Sequence, residues 1–346
     1  MDWRRQLRFD ALVPLVRSGN PAIRYFAGRD LDDDDGNNTN AGEQALTSLW
    51  ELGEVKRILK RQLDSGAWKY PGGGHMRSPE DYNQIETYRM LGQLVEKYGL
   101  NRGHHAMQRA AEYLFSRQTG EGDFRGIYGN QYSPNYSAAI MELLIKAGYA
   151  GDPRIKRGFS WLLSIRQADG GWVIPLRTGV GKRGRSKFDP GVLRGEPIRP
   201  DVSKPFSHLV TGVVLRAFAA HPDYRKAAQA RAAGRLLASR FFEADKYPDR
   251  RAPGFWTSFS YPFWFTDLLS SLDSLSLMGF GIDDDNDDDD SSISGKIRAA
   301  LDWFVARQQP TGLWVLPTRM MKRAQDRDLW ITLAVCRVFK RFYKTG

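Results

Sequence analysis

The chain of 346 residues is 41% apolar and 26% charged, a composition that excludes a wholly disordered protein. Its 51 Lys and Arg residues outnumber its 40 Asp and Glu residues, and the resulting net charge of +11 is compatible with an anionic partner. The single cysteine, Cys336, excludes an intrachain disulfide framework and is typical of a reducing compartment. The first residues carry scattered charges rather than an apolar core, and no later stretch is apolar enough to span a membrane. We therefore expect a soluble cytoplasmic protein.

Four short segments repeat a glutamine, a glycine-bearing turn and an aromatic residue. They are residues 62–68, 118–124, 167–172 and 308–314. The three later copies follow stretches with apolar residues at three- and four-residue spacing, which predicts that the motif ends a helix. The glycine suits the left-handed turn that terminates a helix. A degenerate copy that has lost its glutamine lies near Phe241 and Phe242.

A second, more apolar helix is predicted to start at a proline after each turn. These prolines are Pro79, Pro134, Pro205 and Pro262. Proline suits the first helical position because its missing N–H has no partner there anyway. The predicted inner helices are 21–31, 80–98, 134–147, 205–220, 261–279 and 326–343. With amphipathic outer helices, 2–18 among them, they predict six helical hairpins closed into a ring, as one domain over residues 1–346.

The Q-x(2–5)-G-x-W turns between paired helices resemble the repeats of squalene–hopene cyclases and of protein prenyltransferase β-subunits. The resemblance covers nearly the whole chain and is strongest to single-toroid proteins with prenyltransferase or squalene-cyclase repeats. It implies an all-α fold, the (α/α)6 toroid that both families share. A shared toroid does not fix a reaction, so the chemistry depends on the residues of the site.

Basic and acidic residues are concentrated in different loops. Residues 177–204, an insert in the third repeat, carry eight basic residues against three acidic ones, and the loop after Trp314 is also basic. Both precede inner helices, whose N-termini favour anions, so one rim is expected to be electropositive. The candidate anion-binding side chains are Arg177, Arg319, Lys322 and Arg327. The acidic loops 30–35 and 283–290 are expected on the opposite rim, exposed to solvent.

Candidate acids come from the inner helices. The D-x-D-D acid motif of protonation-initiated terpene cyclases occurs at 30–33 and 285–288, but any long aspartate run contains it by chance. A general acid needs a secluded pocket, which a solvated loop does not supply. Asp267 is the better candidate, because it is placed inside an apolar helix, beyond any capping position. Glu86 and His208 are placed similarly on inner helices.

Aromatic residues on or near the inner helices could line a cavity and stabilise carbocations through their ring faces, although packing in a filled core is the alternative. They are Tyr82, Tyr136, Tyr261, Trp264 and Trp330. No metal site is predicted. Zinc-dependent prenyltransferases carry an Asp-x-Cys with a distant His, whereas Ala334 precedes Cys336 and no His follows. A divalent metal at the aspartate runs is not expected either.

These features lead to two hypotheses. In the first, the protein binds an amphiphilic isoprenoid-type ligand, with its tail in an aromatic hollow and its anionic head at the basic rim, with or without cyclisation. Contact with a membrane surface is compatible with such a ligand. In the second, a non-catalytic scaffold binds an anionic protein, glycan or nucleic acid, the last being the least expected. A hollow centre favours the first hypothesis and a filled one the second.

Overall fold

The computed structural model describes residues 2–32, 39–72, 81–178, 189–248, 250–282, 288–318 and 326–343. In these ranges the chain is helical, and its only β-type contacts are isolated bridges. The helices are α1 Leu12–Val16, α2 Pro21–Leu31, α3 Thr39–Leu49, α4 Gly53–Leu59, α5 Tyr82–Tyr98, α6 His105–Phe115, α7 Pro134–Leu144, α8 Pro153–Ser164, α9 Pro175–Thr178, α10 Pro190–Arg194, α11 His208–Ala220, α12 Ala228–Ala238, α13 Leu268–Leu277, α14 Asp288–Val305 and α15 Arg327–Tyr343. The all-α prediction is confirmed.

The chain forms two compact units. Unit 1 combines Met1–Leu49 with Pro222–Gly346, and unit 2 is Trp50–His221. In unit 1, α15 packs against α13, α2 and α1, so the two ends of the chain meet. In unit 2, the most extensive helix contact joins α7 to α11. The sequence prediction of a single domain remains a prediction.

Most inner helices start close to their predicted positions. Helices α2 and α7 begin at Pro21 and Pro134. The predicted starts at Pro205 and Pro262 are wrong, because α11 begins at His208 and α13 at Leu268. In both cases a side chain further along the chain caps the helix. Ser207 and Asp267 each accept a backbone N–H from the first turn. Pro79 lies outside the described residues.

The predicted outer helix 2–18 is also wrong. It is split into a 3₁₀ turn at Trp3–Gln6 and the short α1. Two side chains account for the break. The carboxylate of Asp10 accepts the backbone N–H of Leu12, and the amide oxygen of Gln308 accepts those of Arg8 and Phe9. These backbone N–H groups bond to side chains instead of to helical carbonyls. Gln308 of the fourth motif thus helps to interrupt the helix predicted at the start of the chain.

In three of the four motifs the glutamine ties its own turn to another segment of the chain. The Nε2 of Gln118 donates to the carbonyl of Gly122 at 2.9 Å and to that of Arg154, in the first turn of α8, at 2.8 Å. Gln308 makes the same pair of bonds to Gly312 and Phe9. The first motif repeats the pattern, with bonds from Gln62 to Gly66 and Ala106. The glutamine therefore sets the spacing between consecutive hairpins.

The motif glycines permit a close backbone approach. Gly122 has φ of +110°, and a Cβ atom there would lie 2.6 Å from the carbonyl oxygen of Arg157 in α8. Gly66 and Gly312 also have positive φ, and a Cβ atom at either would lie still closer to a carbonyl oxygen. Any larger residue would both strain the turn and push the next segment away.

The motif aromatic residue joins the turn to both helices of its hairpin. The indole of Trp172 donates to the carbonyl of Leu162 in α8, and its backbone N–H donates to the hydroxyl of Thr211 in α11 at 2.9 Å. A hydroxyl from the inner helix recurs in this role in every other regular motif. The pairs are Trp68 with Thr87, Phe124 with Ser137, and Trp314 with Thr332. These hydroxyls were not among the residues predicted from the sequence.

Candidate functional site

Two of the predicted aromatic residues stack in unit 1. Trp330, in the first turn of α15, lies parallel to Tyr261, with ring centroids 5.6 Å apart and planes 15° apart. Phe26 of α2 and Phe263 flank the pair. Tyr261 is 3% exposed and Trp330 2% exposed. The pair therefore belongs to the packed interior of unit 1.

An arginine that the sequence analysis missed fixes this pair. Arg337 of α15 donates from Nη1 to the Tyr261 hydroxyl at 2.9 Å, and from Nε to Asp30 at 2.7 Å. Burial raises the pKa of Asp30, but attraction to Arg337 and hydrogen bonds from Arg29 and Arg337 outweigh it and hold the pKa below its usual value. Asp30 is thus ionised at neutral pH. The signal in the sequence was a lone arginine on the apolar face of an inner helix.

Asp30 opens the first D-x-D-D match and was expected in a solvated loop. It lies instead in the last turn of α2, paired with Arg337, with 18% of its side chain exposed. A carboxylate held in this way cannot serve as a proton donor. Residues 33–35 of this acidic loop and residues 283–287 of the second one lie outside the described residues.

Asp267 does not lie inside a helix, and that prediction is wrong. It is the N-cap of α13, 1% exposed, and its carboxylate accepts the backbone N–H of Ser270 at 2.8 Å, while the Ser270 hydroxyl accepts the N–H of Asp267 at 3.0 Å. This capping box fixes the carboxylate at the N-terminus of α13. Trp264, three residues earlier, is half-buried, and its backbone N–H donates to the hydroxyl of Ser260.

The other predicted aromatic residues lie in unit 2, where they are half-buried. Tyr136, in the first turn of α7, has its ring 5.4 Å from that of Tyr128 and 6.4 Å from that of Tyr88. Tyr82, the first residue of α5, contacts Tyr70 at 5.1 Å. The starts of α5 and α7 thus each carry an aromatic ring that contacts a neighbouring ring and keeps part of its surface open.

Next to Tyr88, which contacts Tyr136, a buried charge network joins three inner helices. Arg216 of α11 donates to Glu142 of α7 at 2.8 Å, with side chains 2% and 3% exposed, and its Nη2 lies 3.5 Å from the Tyr88 hydroxyl. Lys146 bridges Glu142 and Glu96. Burial raises the pKa of Tyr88 to about 12, so its hydroxyl stays protonated. None of these charged residues was among the predicted site residues. The two acids and two bases of the network balance.

The predicted acids do not share one unit. Glu86 and His208 belong to unit 2 and Asp267 to unit 1. Glu86, 7% exposed, lies 3.6 Å from Arg89 one turn along α5. His208 is the first residue of α11 and is 5% exposed.

The predicted anion-binding residues are only partly described. Arg177 lies in α9 and is half-buried. Arg327 opens α15, where it pairs with Asp328 at 2.8 Å and its Nη1 lies 3.4 Å from the Thr318 hydroxyl. Arg319 and Lys322, together with residues 179–188 of the basic insert, lie outside the described residues.

The described second half of the insert is docked rather than solvated. Gln131, 1% exposed, donates to the carbonyls of Val192, Gly195 and Glu196, and its oxygen accepts the N–H of Ile198. Further along, Gln167 donates to two carbonyls of the insert, at Asp201 and Lys204. The insert therefore lies across the turn that leads from Tyr128 into α7.

The described residues hold no cluster of three or more His, Cys, Asp or Glu side chains suited to a metal ion. Cys336 is fully buried, and burial raises the pKa of its thiol. Among the same residues, no helix combines the length and the apolar character that crossing a bilayer requires.

Comparison with known proteins supports the resemblance. Residues 81–178 match the family model of the squalene-hopene cyclase C-terminal domain. This segment, α5 to α9, is squalene-hopene cyclase-like. It spans less than a third of the chain but contains the second and third motifs, Tyr82, Tyr136 and Glu142. None of the curated proteins matches the chain.

Solved structures give weaker similarities. A protein from Actinoplanes is 18% identical, with 98% of this chain and 89% of that one covered and a TM-score of 0.41. The type II terpene cyclase MstE from Scytonema is 14% identical, with 95% and 98% covered and a TM-score of 0.44. A variant of MstE in complex with geranylgeranyl dihydroxybenzoate, its substrate, is 13% identical, with 96% and 98% covered and a TM-score of 0.42. Such distant similarities do not assign a reaction to this chain.

Proposed function

We propose that this protein binds an amphiphilic isoprenoid ligand in the manner of a terpenoid cyclase. The supporting observation is the half-buried Tyr136, which contacts Tyr128 and Tyr88 within the squalene-hopene cyclase-like segment. An isoprenoid tail offers no hydrogen bonds, so it is best bound by ring faces, and a half-buried ring has surface left for it. Tyr82 and Trp264 would extend the same kind of surface.

The ligand's head is proposed to be anionic and to lie at the N-terminal ends of the inner helices. These ends carry a partial positive charge. Arg177 and Arg327 lie near two of them, and the insert that carries Arg177 is docked close to Tyr128. Arg319 and Lys322 are proposed to belong to the same region.

The six hairpins are proposed to close into one (α/α)6 toroid. Support comes from Gln308, whose bonds to Phe9 and Gly312 reproduce those that the first and second motifs make to the next outer helix. Cyclisation is the reaction proposed for this fold, with Asp267 as the proton donor to test. Ring faces next to a cation would stabilise its charge.

Binding is tested with geranylgeranyl diphosphate and geranylgeraniol, which share a tail and differ in the head, by calorimetry. We expect the diphosphate to bind more tightly, and Tyr136→Ala to weaken it about tenfold through lost ring contact. Tyr224→Ala, which removes a half-buried tyrosine outside the cluster, is the matched control. Absence of binding to both probes, or equal affinity in both variants, would contradict the proposal.

A scaffold function is the second candidate, favoured by the packed Tyr261–Trp330 pair. Rings that are 3% and 2% exposed act as a filled core in unit 1. A scaffold would bind an anionic partner through basic side chains. Its binding to heparin would then weaken with added salt, because screening and counterion release govern such contacts. Salt-insensitive heparin binding, or none, excludes this function.

A further inference from the structure

One cavity of unit 2 shares no lining residue with the clusters described above. Its volume is about 570 Å3. It is lined by Asn101, Arg102, Gly103, Gln108, Glu112 and Tyr149. The cavity is largely open to solvent, and its volume falls within the range of about 300–1,000 Å3 that is common for small-molecule sites.

Its walls are the loop between α5 and α6, the exposed face of α6, and the π-helical turn Ile145–Tyr149 after α7. The N–H of Arg102 donates to the carbonyl of Ala147, and the Nε2 of Gln108 donates to the carbonyl of Arg102. Gly148 has φ of +99°, and a Cβ atom there would lie 3.3 Å from the Arg102 side chain. The glycine thus lets the arginine stem lie against the turn, and the three elements are joined by hydrogen bonds.

The charges around the cavity cancel. Two acids and two bases surround the Tyr149 hydroxyl: Glu112, Asp152, Arg102 and Arg154. Arg154 donates to both oxygens of Glu112 at 2.9 Å and also pairs with Asp152. Burial, with help from Glu112, raises the pKa of Tyr149, so the phenol keeps its proton at neutral pH.

The remaining polar groups include both donors and acceptors. Within the described part of the chain, the guanidinium of Arg102 and the hydroxyl of Tyr149 make no hydrogen bond. Asn101 uses its oxygen on the N–H of Gly103, which leaves its NH2 group, and Gln108 uses its NH2 group, which leaves its oxygen. The wall therefore offers both donors and acceptors and carries no net charge.

We infer that this cavity binds a neutral sugar. Each sugar hydroxyl both donates and accepts, which matches paired amides, a guanidinium and a phenol. A simple anion would face the Glu112 carboxylate, and an ammonium group would find both carboxylates already occupied by Arg154. This site is independent of the proposed isoprenoid site.

The test is saturation-transfer NMR on the full chain with glucose, galactose, mannose and N-acetylglucosamine, with phosphate and glycine as comparison probes. We expect one of the sugars to bind with a dissociation constant of about 1 mM. Tyr149→Phe removes one hydroxyl, whereas Gln108→Ala removes the free amide oxygen together with the bond to the Arg102 carbonyl. Each variant should weaken binding of the sugar about fivefold. Gln44→Ala, which removes an exposed helical glutamine of unit 1, should change nothing.

Three results would overturn the inference. The first is that none of the sugars binds the wild-type chain. The second is that the sugar binds both cavity variants as tightly as it binds wild type. The third is that only phosphate or glycine binds. Tyr149→Phe keeps the ring and its contact with Phe115, so it separates loss of the hydroxyl from loss of the loop structure.

Discussion

Arg337 lies 2.9 Å from the hydroxyl of Tyr261, and this bond attaches the middle of α15 to the segment that precedes α13. Unit 2 repeats the arrangement, because Arg216 of α11 contacts the Tyr88 hydroxyl and the Glu142 carboxylate. In both units an arginine on an inner helix joins a tyrosine to an acid. Other acids among the described residues of the inner helices are paired with basic side chains as well, Glu96 with Lys146 and Asp273 with Arg341.

The Asp30–Arg337 pair should make stability depend on pH in the acid range. The pKa of Asp30 is lower in the folded state than in the unfolded chain. Its contribution is therefore complete above the unfolded pKa of about 3.9 and is lost as pH falls through the folded value. Urea unfolding at several pH values should show a smaller acid loss in Asp30→Asn than in wild type. Equal losses in both proteins would contradict this.

Breaking the Glu142–Arg216 pair should be costly, whereas removing both charges should not. Glu142→Leu leaves Arg216 buried without its carboxylate and should lower the free energy of unfolding by about 3–5 kcal/mol. Lys146 keeps Glu96 as a partner. The double variant with Arg216→Met should recover most of the loss, as chemical denaturation would measure. An additive double variant would show that the pair is not coupled.

The hydroxyl of Thr332 should be needed for the fourth motif. It is fully buried and accepts the backbone N–H of Trp314 at 3.1 Å. Thr332→Val keeps the shape but leaves that N–H unsatisfied, which should cost about 1–3 kcal/mol. Thr332→Ser retains the acceptor and should lose less. Equal unfolding midpoints for the Val and Ser variants would rule out this role.

Replacing either of two nearby glycines with alanine should affect stability differently. Gly122 has positive φ and faces the Arg157 carbonyl, whereas a Cβ atom at Gly120 would meet nothing within 4 Å. Gly122→Ala should destabilise the protein by about 3 kcal/mol, and Gly120→Ala by less than about 0.5 kcal/mol. Thermal unfolding of the two variants compares them directly. A similar Tm in both would mean that the turn can relax around the new side chain.

Asp267→Asn separates the cap from the proposed acid. Asparagine caps helices as well as aspartate does, so stability should stay within about 0.5 kcal/mol of wild type, whereas Asp267→Ala should lose about 1 kcal/mol. If Asp267 donates a proton, turnover of a polyprenyl substrate should vanish in the folded Asn variant. Unchanged turnover would remove Asp267 as the acid.

The capping role of Asp267 was readable in the sequence, since Ser270 follows at the position that completes a capping box. The helix start predicted at Pro262 lies six residues before Leu268, the first residue of α13. The aromatic pair Tyr261 and Trp330 was predicted as part of a site, but its stacking was not. Arg337, which fixes that pair, was absent from the prediction because its partner Asp30 lies 307 residues away in the chain and only packing brings the two together.

The sequence by itself determined the helical hairpins, because helix periodicity, a positive-φ glycine and a helix-ending glutamine act within a few residues of one another. Only the tertiary structure decided which distant groups meet. Gln308 bonds to Phe9, Arg337 to Asp30, and Gln131 to the insert, each across at least 61 residues. Such pairings depend on how helices pack, and buried polar groups accept only partners that packing brings within hydrogen-bond distance. The net charge of +11 likewise did not show which charged side chains would pair, and the tertiary structure located those ion pairs.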